Sequence, residues 1–402
     1  MRRRDDAACG IYVHVPFCAR QCPYCDFAVD VRKTIPHTEY ADALIEEFSG
    51  RRHLIDGRDV RTIYFGGGTP SLWQPEQLDR VMREIRGALG PDEPAEVTLE
   101  ANPDDVTRSN LSAWCDAGVT RLSIGCQSFQ PRVLKSLNRN HTPERAIEAV
   151  ELALAHGPDI VSLDLIFGNP GQSFEEWEAD LDQVEQFVLE SDGSERNDRL
   201  DHLSAYHLTI EPGTAFARRR AKGRLSVPDD DRSFEMLERL VARCEELGLM
   251  RYEVSNFARA GCRSQHNTLY WTGAEYLGLG VGAHSLQIDA EDGVVRRANP
   301  RLTADYLASP GEPGELEQLS AKEHLVERLF LGIRTREGLD FAQLRRQFGG
   351  AVPTEWLDRA EGGLDEMVDS AFLERSTHIY YPTHAGLNLA DALAERFFAA
   401  FE

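Results

Sequence analysis

The chain has 402 residues with 42% apolar and 28% charged side chains, an ordinary globular composition long enough for two to three domains. A formal net charge of −23 opposes a phosphate backbone, so a general nucleic-acid binder is not expected, although a local basic pocket stays compatible with it. No apolar run approaches the roughly 18 residues that span a bilayer, and the basic start Met1-Arg2-Arg3-Arg4 has no apolar stretch behind it, so the protein is read as cytoplasmic.

From Gly10 onward, β-rich runs alternate with helical stretches. Strands are expected at 10–15, 62–65, 96–100, 121–124, 160–167 and 202–208. Between them, Tyr40, Leu44, Ile45 and Phe48 recur at helical spacing, and Pro143 opens a helix with Ile147, Val150 and Leu154 on one face. Such alternation builds parallel βαβ units, and six of them are too few for a complete eight-fold barrel. The expected fold is α/β, as an open partial barrel or a doubly wound sheet. Residues 191–201 are polar and read as a surface loop, and 228–247 as a helix with Phe234, Leu237, Leu240, Val241 and Cys244 stacked. The Pro/Gly-rich stretch 310–314 reads as a linker. Helices at 321–333, 341–348 and 361–370 and a short strand at 378–381 then suit a winged-helix-like domain, whose own acidity argues against DNA binding. The expected division is 1–225, 226–310 and 311–402.

Cys18, Cys22 and Cys25 form C-x3-C-x2-C directly after the first strand. Parallel α/β folds place their chemistry at the C-terminal ends of strands. Three thiolates on one loop can hold three irons of a 4Fe–4S cluster and leave the fourth open to a cofactor. A structural zinc site needs four closed ligands, usually from two cysteine pairs, and no second C-x2-C exists. Cys9 and His14 lie nearby but before or within the strand. Cys115, Cys126, Cys244 and Cys262 are scattered, and three of them sit among apolar or helical neighbours as packing residues.

Gly66-Gly67-Gly68-Thr69-Pro70 follows the second strand and permits close backbone approach, either to a ligand or simply in a tight turn. It is no P-loop, because no Gly-Lys-Ser/Thr follows. Glu100 ends the third strand, Gln127 follows the fourth, and Asp164 sits inside the apolar run 163–167. A carboxylate there needs a partner, structural or ligand.

The cysteine loop resembles that of the radical S-adenosylmethionine (SAM) superfamily. That resemblance implies a partial (β/α)6 barrel, a 4Fe–4S cluster and SAM chelated to its open iron, with reduction cleaving SAM to a 5′-deoxyadenosyl radical. Segments 12–18, 66–70, 121–129, 164–168, 202–206 and 282–285 are further similar to the oxygen-independent coproporphyrinogen III oxidases and their HemW relatives. By motif position, Tyr12, Gly67, Gly68, Thr69, Glu100, Gln127, Arg139 and Asp164 are implied SAM contacts, with Tyr24 on the adenine side. The oxidase pattern carries a further cysteine two residues after the third, where this chain has Phe27, and it also has a longer N-terminal extension. The HemW pattern matches Tyr24-Cys25-Asp26-Phe27, Glu211-Pro212-Gly213-Thr214 and the box His266-Asn267-Thr268-Leu269-Tyr270-Trp271.

In that box an imidazole could ligate heme iron and aromatics could lie on a porphyrin. Equally, His266 and Asn267 could cap a turn while Tyr270 and Trp271 pack in the core, and both readings stay open. The HemW resemblance implies a heme chaperone that binds heme beside the SAM-coordinated cluster and passes it to acceptor proteins, membrane respiratory enzymes among them. Peripheral membrane contact and oligomeric state are left open. The rival reading is radical decarboxylation of coproporphyrinogen III. Radical modification of RNA or protein has no evident basic patch to recommend it.

Overall fold

The computed structural model describes residues 8–89, 94–189, 199–289 and 293–401. Six strands lie side by side in chain order: β1 (Ala8–Val15), β2 (Asp59–Gly67), β3 (Glu96–Ala101), β4 (Arg121–Gln127), β5 (Ile160–Phe167) and β6 (His202–His207). Each is parallel to the next. Helices His37–Arg51, Pro75–Leu89, Arg108–Asp116, Pro143–His156 and Phe174–Leu189 carry the crossovers. An order without reversal is that of a partial barrel; a doubly wound sheet would switch direction after its first half.

Alternation along the strands explains why the sheet curls around a lumen. Ile11, Val13, Val15, Ile63, Phe65, Val97, Leu99, Leu122, Ile124, Leu163, Leu165, Leu203 and Ala205 are all buried on one face beneath the helices. The residues between them are largely polar and face the other way. Local caps fix the helix starts: Thr142 accepts from Arg145 N–H ahead of Pro143, and Ser320 with Glu323 forms a capping box.

Beyond β6 the chain extends both edges. Glu275–Leu279 adds a seventh parallel strand beside β1, followed outward by His284–Asp289, Gly293–Ala298 and Glu315–Leu319, all antiparallel. Asn256–Ala258 and Met250–Arg251 cover the edge at β6. The stretch 310–314 is a loop, yet the chain stays in the large sheet as far as Leu319. Of the loop expected at 191–201, residues 191–198 lie outside the described ones. Leu200 and Asp201 are buried rather than on the surface, because Leu200 N–H bonds Phe187 C=O and leads directly into β6.

A second core gathers Leu325, Leu329, Phe341, Leu344, Leu364, Leu373 and Tyr380, among others. Its helices Ala321–Gly332, Phe341–Phe348 and Thr354–Asp369 are followed by the hairpin Leu373–Ser376 and Ile379–Pro382, with Leu339–Asp340 as a third strand. The third helix begins seven residues before the expected 361. Leu357 and Ala360 extend its buried face through Gly362 and Gly363, outweighing the roughly 1 kcal/mol that each glycine costs a helix.

One buried network locks the first crossover helix to the edge extension. Glu47 accepts from Arg51 Nη1 (2.6 Å), Asn299 Nδ2 (2.7 Å), Gly280 N–H (2.8 Å) and Tyr306 O–H (2.9 Å). Arg51 also donates to Gly278 C=O and Ser285 Oγ. Every oxygen of the carboxylate is satisfied from segments more than 200 residues apart, save for the i,i+4 partner. Glu47→Ala leaves Arg51 buried without its counter-charge, so a urea-unfolding midpoint should report a loss of about 3–5 kcal/mol; an unchanged midpoint would remove this network as the lock.

Candidate functional site

The cysteine loop closes over the C-terminal ends of the strands. Cys18, Cys22 and Cys25 are half-buried, are not disulfide-bonded, and line one cavity of about 520 Å³. That volume is within the range of small-molecule sites. Thr69 Oγ1 donates to Cys18 Sγ at 3.5 Å and Arg139 Nη1 to Cys22 Sγ at 3.9 Å, so the thiols face a hydroxyl and a guanidinium. Burial holds the Cys18 thiol up and pushes Cys25 to about 11, so metal binding there would release protons. Among the described residues no fourth cysteine lines the cavity, and no three His, Cys, Asp or Glu side chains converge on a single ion. A cluster holds its cysteines through separate irons and does not ask for that convergence. The donor set therefore fits a 4Fe–4S cluster with one open iron.

The glycine loop is shaped by packing against β1. Gly68 N–H bonds Val15 C=O at 2.9 Å and Thr69 N–H bonds Phe17 C=O at 2.8 Å. A Cβ on Gly68 would lie 2.5 Å from the Pro16 carbonyl carbon. Gly67 has φ +110°, and a Cβ there would lie 2.3 Å from the His14 ring. Glu100 reaches back to this loop, accepting from Gly67 N–H (3.1 Å) and Tyr64 O–H (2.8 Å). Burial pushes its carboxyl up to about 7, the two hydrogen bonds offsetting only part of that.

Below the mouth, polar side chains recur at every second residue. Thr98, Glu100 and Asn102 of β3 and its end, Arg121, Ser123 and Gln127 of β4, Ser162 and Asp164 of β5, and His202, Ser204 and Tyr206 of β6 all line the cavity. Asp164 accepts from Ser123 Oγ at 2.9 Å and is pushed up to about 6, chiefly by burial. Gln127 has φ 70°, a left-handed backbone rare outside glycine, where the β4–β5 register shifts. Arg139 anchors the mouth through Asn102 Oδ1 and Gly125 C=O. Tyr24 packs beneath the cysteine loop with Val133, Leu137, Ile166 and Phe216.

The cavity thus unites Cys18, Cys22, Cys25, Tyr24, Gly67, Gly68, Thr69, Glu100, Gln127, Arg139 and Asp164. Tyr12 and His266 are not in its wall. Tyr12 stacks on Tyr64 (6.0 Å between rings) behind the Glu100 carboxylate, a supporting position. His266 lies in helix Gln265–Thr272, whose start rests on Glu96 at the N-terminal end of β3; the cap Ser264 and Asn267 of this helix line the cavity at the end away from the cysteine loop, while the His266 side chain does not. Glu96, at the start of β3, accepts from the backbone N–H groups of Gln265 and His266, and Arg121 stands 3.7 Å from Glu96. The His266 imidazole is 1% exposed, with Thr62 Oγ1 at 2.7 Å from Nδ1 and Tyr270 Oη at 2.8 Å from Nε2. Burial lowers its pKa to about 3. Ser264, not His266 or Asn267, caps this helix.

Thr98, Asn102, Arg121, His202 and Tyr206 were not expected in the site. Their signal is the period-two placement on successive strands rather than any motif.

Residues 12–184 match the radical SAM superfamily model and 319–389 the HemN C-terminal domain. The chain is 34% identical over 384 residues to the heme chaperone HemW of Bacillus subtilis, covering 93% of this chain and 95% of that protein. It is 38% identical over 395 residues to heme chaperone HemW of Mycobacterium tuberculosis, covering 96% and 93%. The solved coproporphyrinogen III oxidase (HemN) of Escherichia coli superposes with a TM-score of 0.79 at 21% identity, covering 98% of this chain and 91% of that one, which shows the shared fold. With a radical-SAM cysteine loop, a partial barrel and whole-length similarity of this order, the chain belongs to the HemW family of heme chaperones within the radical SAM superfamily.

Proposed function

We propose that this protein binds heme, holds a SAM-coordinated 4Fe–4S cluster in the barrel mouth, and transfers heme to acceptor proteins, membrane respiratory enzymes among them. The observation that carries the reading is the single cavity walled by the three-cysteine loop on one side and by the Gly67–Glu100–Asp164 row on the other. Cys18, Cys22 and Cys25 would ligate the cluster. Gly67, Gly68, Thr69, Glu100, Gln127, Arg139 and Asp164 would hold SAM, with Tyr24 beside its adenine and Tyr12 supporting from behind. When bound, the cluster supplies one electron to the sulfonium. The chain itself supplies orientation and charge: Glu100 offers a carboxylate to a cationic group, Arg139 offers a guanidinium to an anionic one, and the cysteine loop covers the mouth.

The rival coproporphyrinogen oxidase reading has less support, since Phe27 stands where a fourth cysteine is expected. His266 has the least support among the expected heme contacts, because iron at its Nε2 would have to displace the Tyr270 hydroxyl.

Anaerobic reconstitution should load about four irons per chain into the wild type and little into Cys22→Ala; equal iron and sulfide in both would defeat the cluster assignment. Burial pushes the Glu100 carboxyl up to about 7, so its ionised fraction should rise as pH increases from 6 to 7.5. SAM affinity of the reconstituted protein, read by equilibrium dialysis, should rise over that range in the wild type and lose the rise in Glu100→Gln. A parallel rise in both proteins would take the ammonium away from Glu100. Heme titration should saturate at an equimolar ratio. His266→Ala should keep the same Soret band while losing about 1–3 kcal/mol of stability from the Thr62 and Tyr270 hydroxyls left without a partner; a shifted band at unchanged stability would return the iron to His266.

A further inference from the structure

Contrary to the expectation of no basic patch, and against a net charge of −23, residues 212–227 hold no acidic side chain and five cations: Arg218, Arg219, Arg220, Lys222 and Arg224. All five are exposed. The contacts of the first two are Arg218 Nη1 to Gly213 C=O and the Arg219 guanidinium 5.9 Å from the Phe216 ring, neither of which neutralises charge. The stretch is tied to the cysteine loop. Phe216 N–H donates to Pro23 C=O at 2.8 Å, and the Phe216 ring packs 6.4 Å from Tyr24, one residue before Cys25. The helix Ala215–Ala221 is therefore fastened to the outer side of the loop whose inner side faces the cofactor cavity.

Between them lies a second, polar cavity of about 680 Å³, whose wall includes Cys22, Cys25, Lys135, Arg218 and Arg219, with Asp26 as its one carboxylate. Phe27 stands in the same wall with 62% of its surface exposed. A concave site of this volume takes a small ligand rather than a flat protein face. Cations grouped beside one exposed aromatic ring match a planar molecule with an apolar face and a carboxylate edge.

We propose that this second cavity docks heme by its carboxylate edge, with Lys135, Arg218 and Arg219 meeting the propionates and Phe27 lying against the macrocycle. The proposal rests on the heme-chaperone reading and deepens it. It puts the cargo at the mouth of the barrel, on the loop that carries Cys22 and Cys25, and not at the floor beside His266. Through Pro23 and Tyr24, a ligand held on Arg218 and Arg219 bears on the same backbone that positions the cluster.

The test compares heme with its dimethyl ester, which keeps the ring and iron but lacks the propionate charges. The reconstituted full-length protein should bind heme at least tenfold more tightly than the ester, and Arg218→Ala/Arg219→Ala should lower heme affinity to near that of the ester. Phe27→Ala should weaken both ligands alike. Saturable binding with no preference for the free acid overturns the dock while leaving heme binding intact. Undiminished preference in the double variant also overturns it, since the propionates are then read elsewhere. Absence of saturable heme binding in the wild type overturns the chaperone reading and the dock together.

Discussion

Two backbone hydrogen bonds, from Gly68 to Val15 and from Thr69 to Phe17, hold the cysteine loop against the glycine loop. The whole site depends on that seam, because it brings the end of β1 and the end of β2 within backbone contact. No side chain fits there: a Cβ at Gly67 or Gly68 would run into His14 or Pro16. The same seam sets Thr69 beside Cys18 and turns Gly67 N–H toward Glu100. The glycines thus join two loops first, and any contact they make with a cofactor follows from that joining.

Below the seam, the geometry of a parallel barrel sorts the side chains. Successive residues of a strand point to opposite faces, so a strand with helices on one side must give its other side to the lumen. Burying Glu100, Asp164, Arg121 and His202 there is costly unless each has partners. Glu100 has Tyr64 and Gly67, Asp164 has Ser123, and His202 has Ser162 and Tyr252. The carboxyls still sit above their ordinary values, which makes the row receptive to a cationic ligand.

The two ends of the lumen do different work. The floor is closed by a helix whose N-terminus rests on Glu96, and His266 is spent on two hydroxyl partners there. Trp271, from the same helix, lies 5.4 Å from the Arg334 guanidinium of the C-terminal domain, so the box also joins the domains. The mouth keeps its polar groups facing a cavity and carries the cations of the 218–224 stretch outside it. The cysteine loop and the cations thus share one end, while the helix at the other end closes the lumen and also lends Ser264 and Asn267 to the cavity wall.

Much of this was legible in the residue order. The six strands, the helices at Pro143 and Asp230, the cysteine loop, Glu100 and Gln127 at strand ends and Asp164 within its strand all rest on local signals: alternation, helical period, Pro at a helix start and ligand spacing. These depend on neighbours a few residues away, which the chain itself supplies. Other features had no local signature. Glu47 with Arg51 reads as an ordinary i,i+4 pair until Gly280, Asn299 and Tyr306 fold onto it. His266 reads equally as an iron ligand or a turn cap until Thr62 and Tyr270 close on it, and nothing local ties Arg218 to the cysteine loop until Phe216 fastens its helix to Pro23. Whether a polar side chain is a ligand or a strut depends on which distant groups satisfy its hydrogen bonds, and only the tertiary structure decides that.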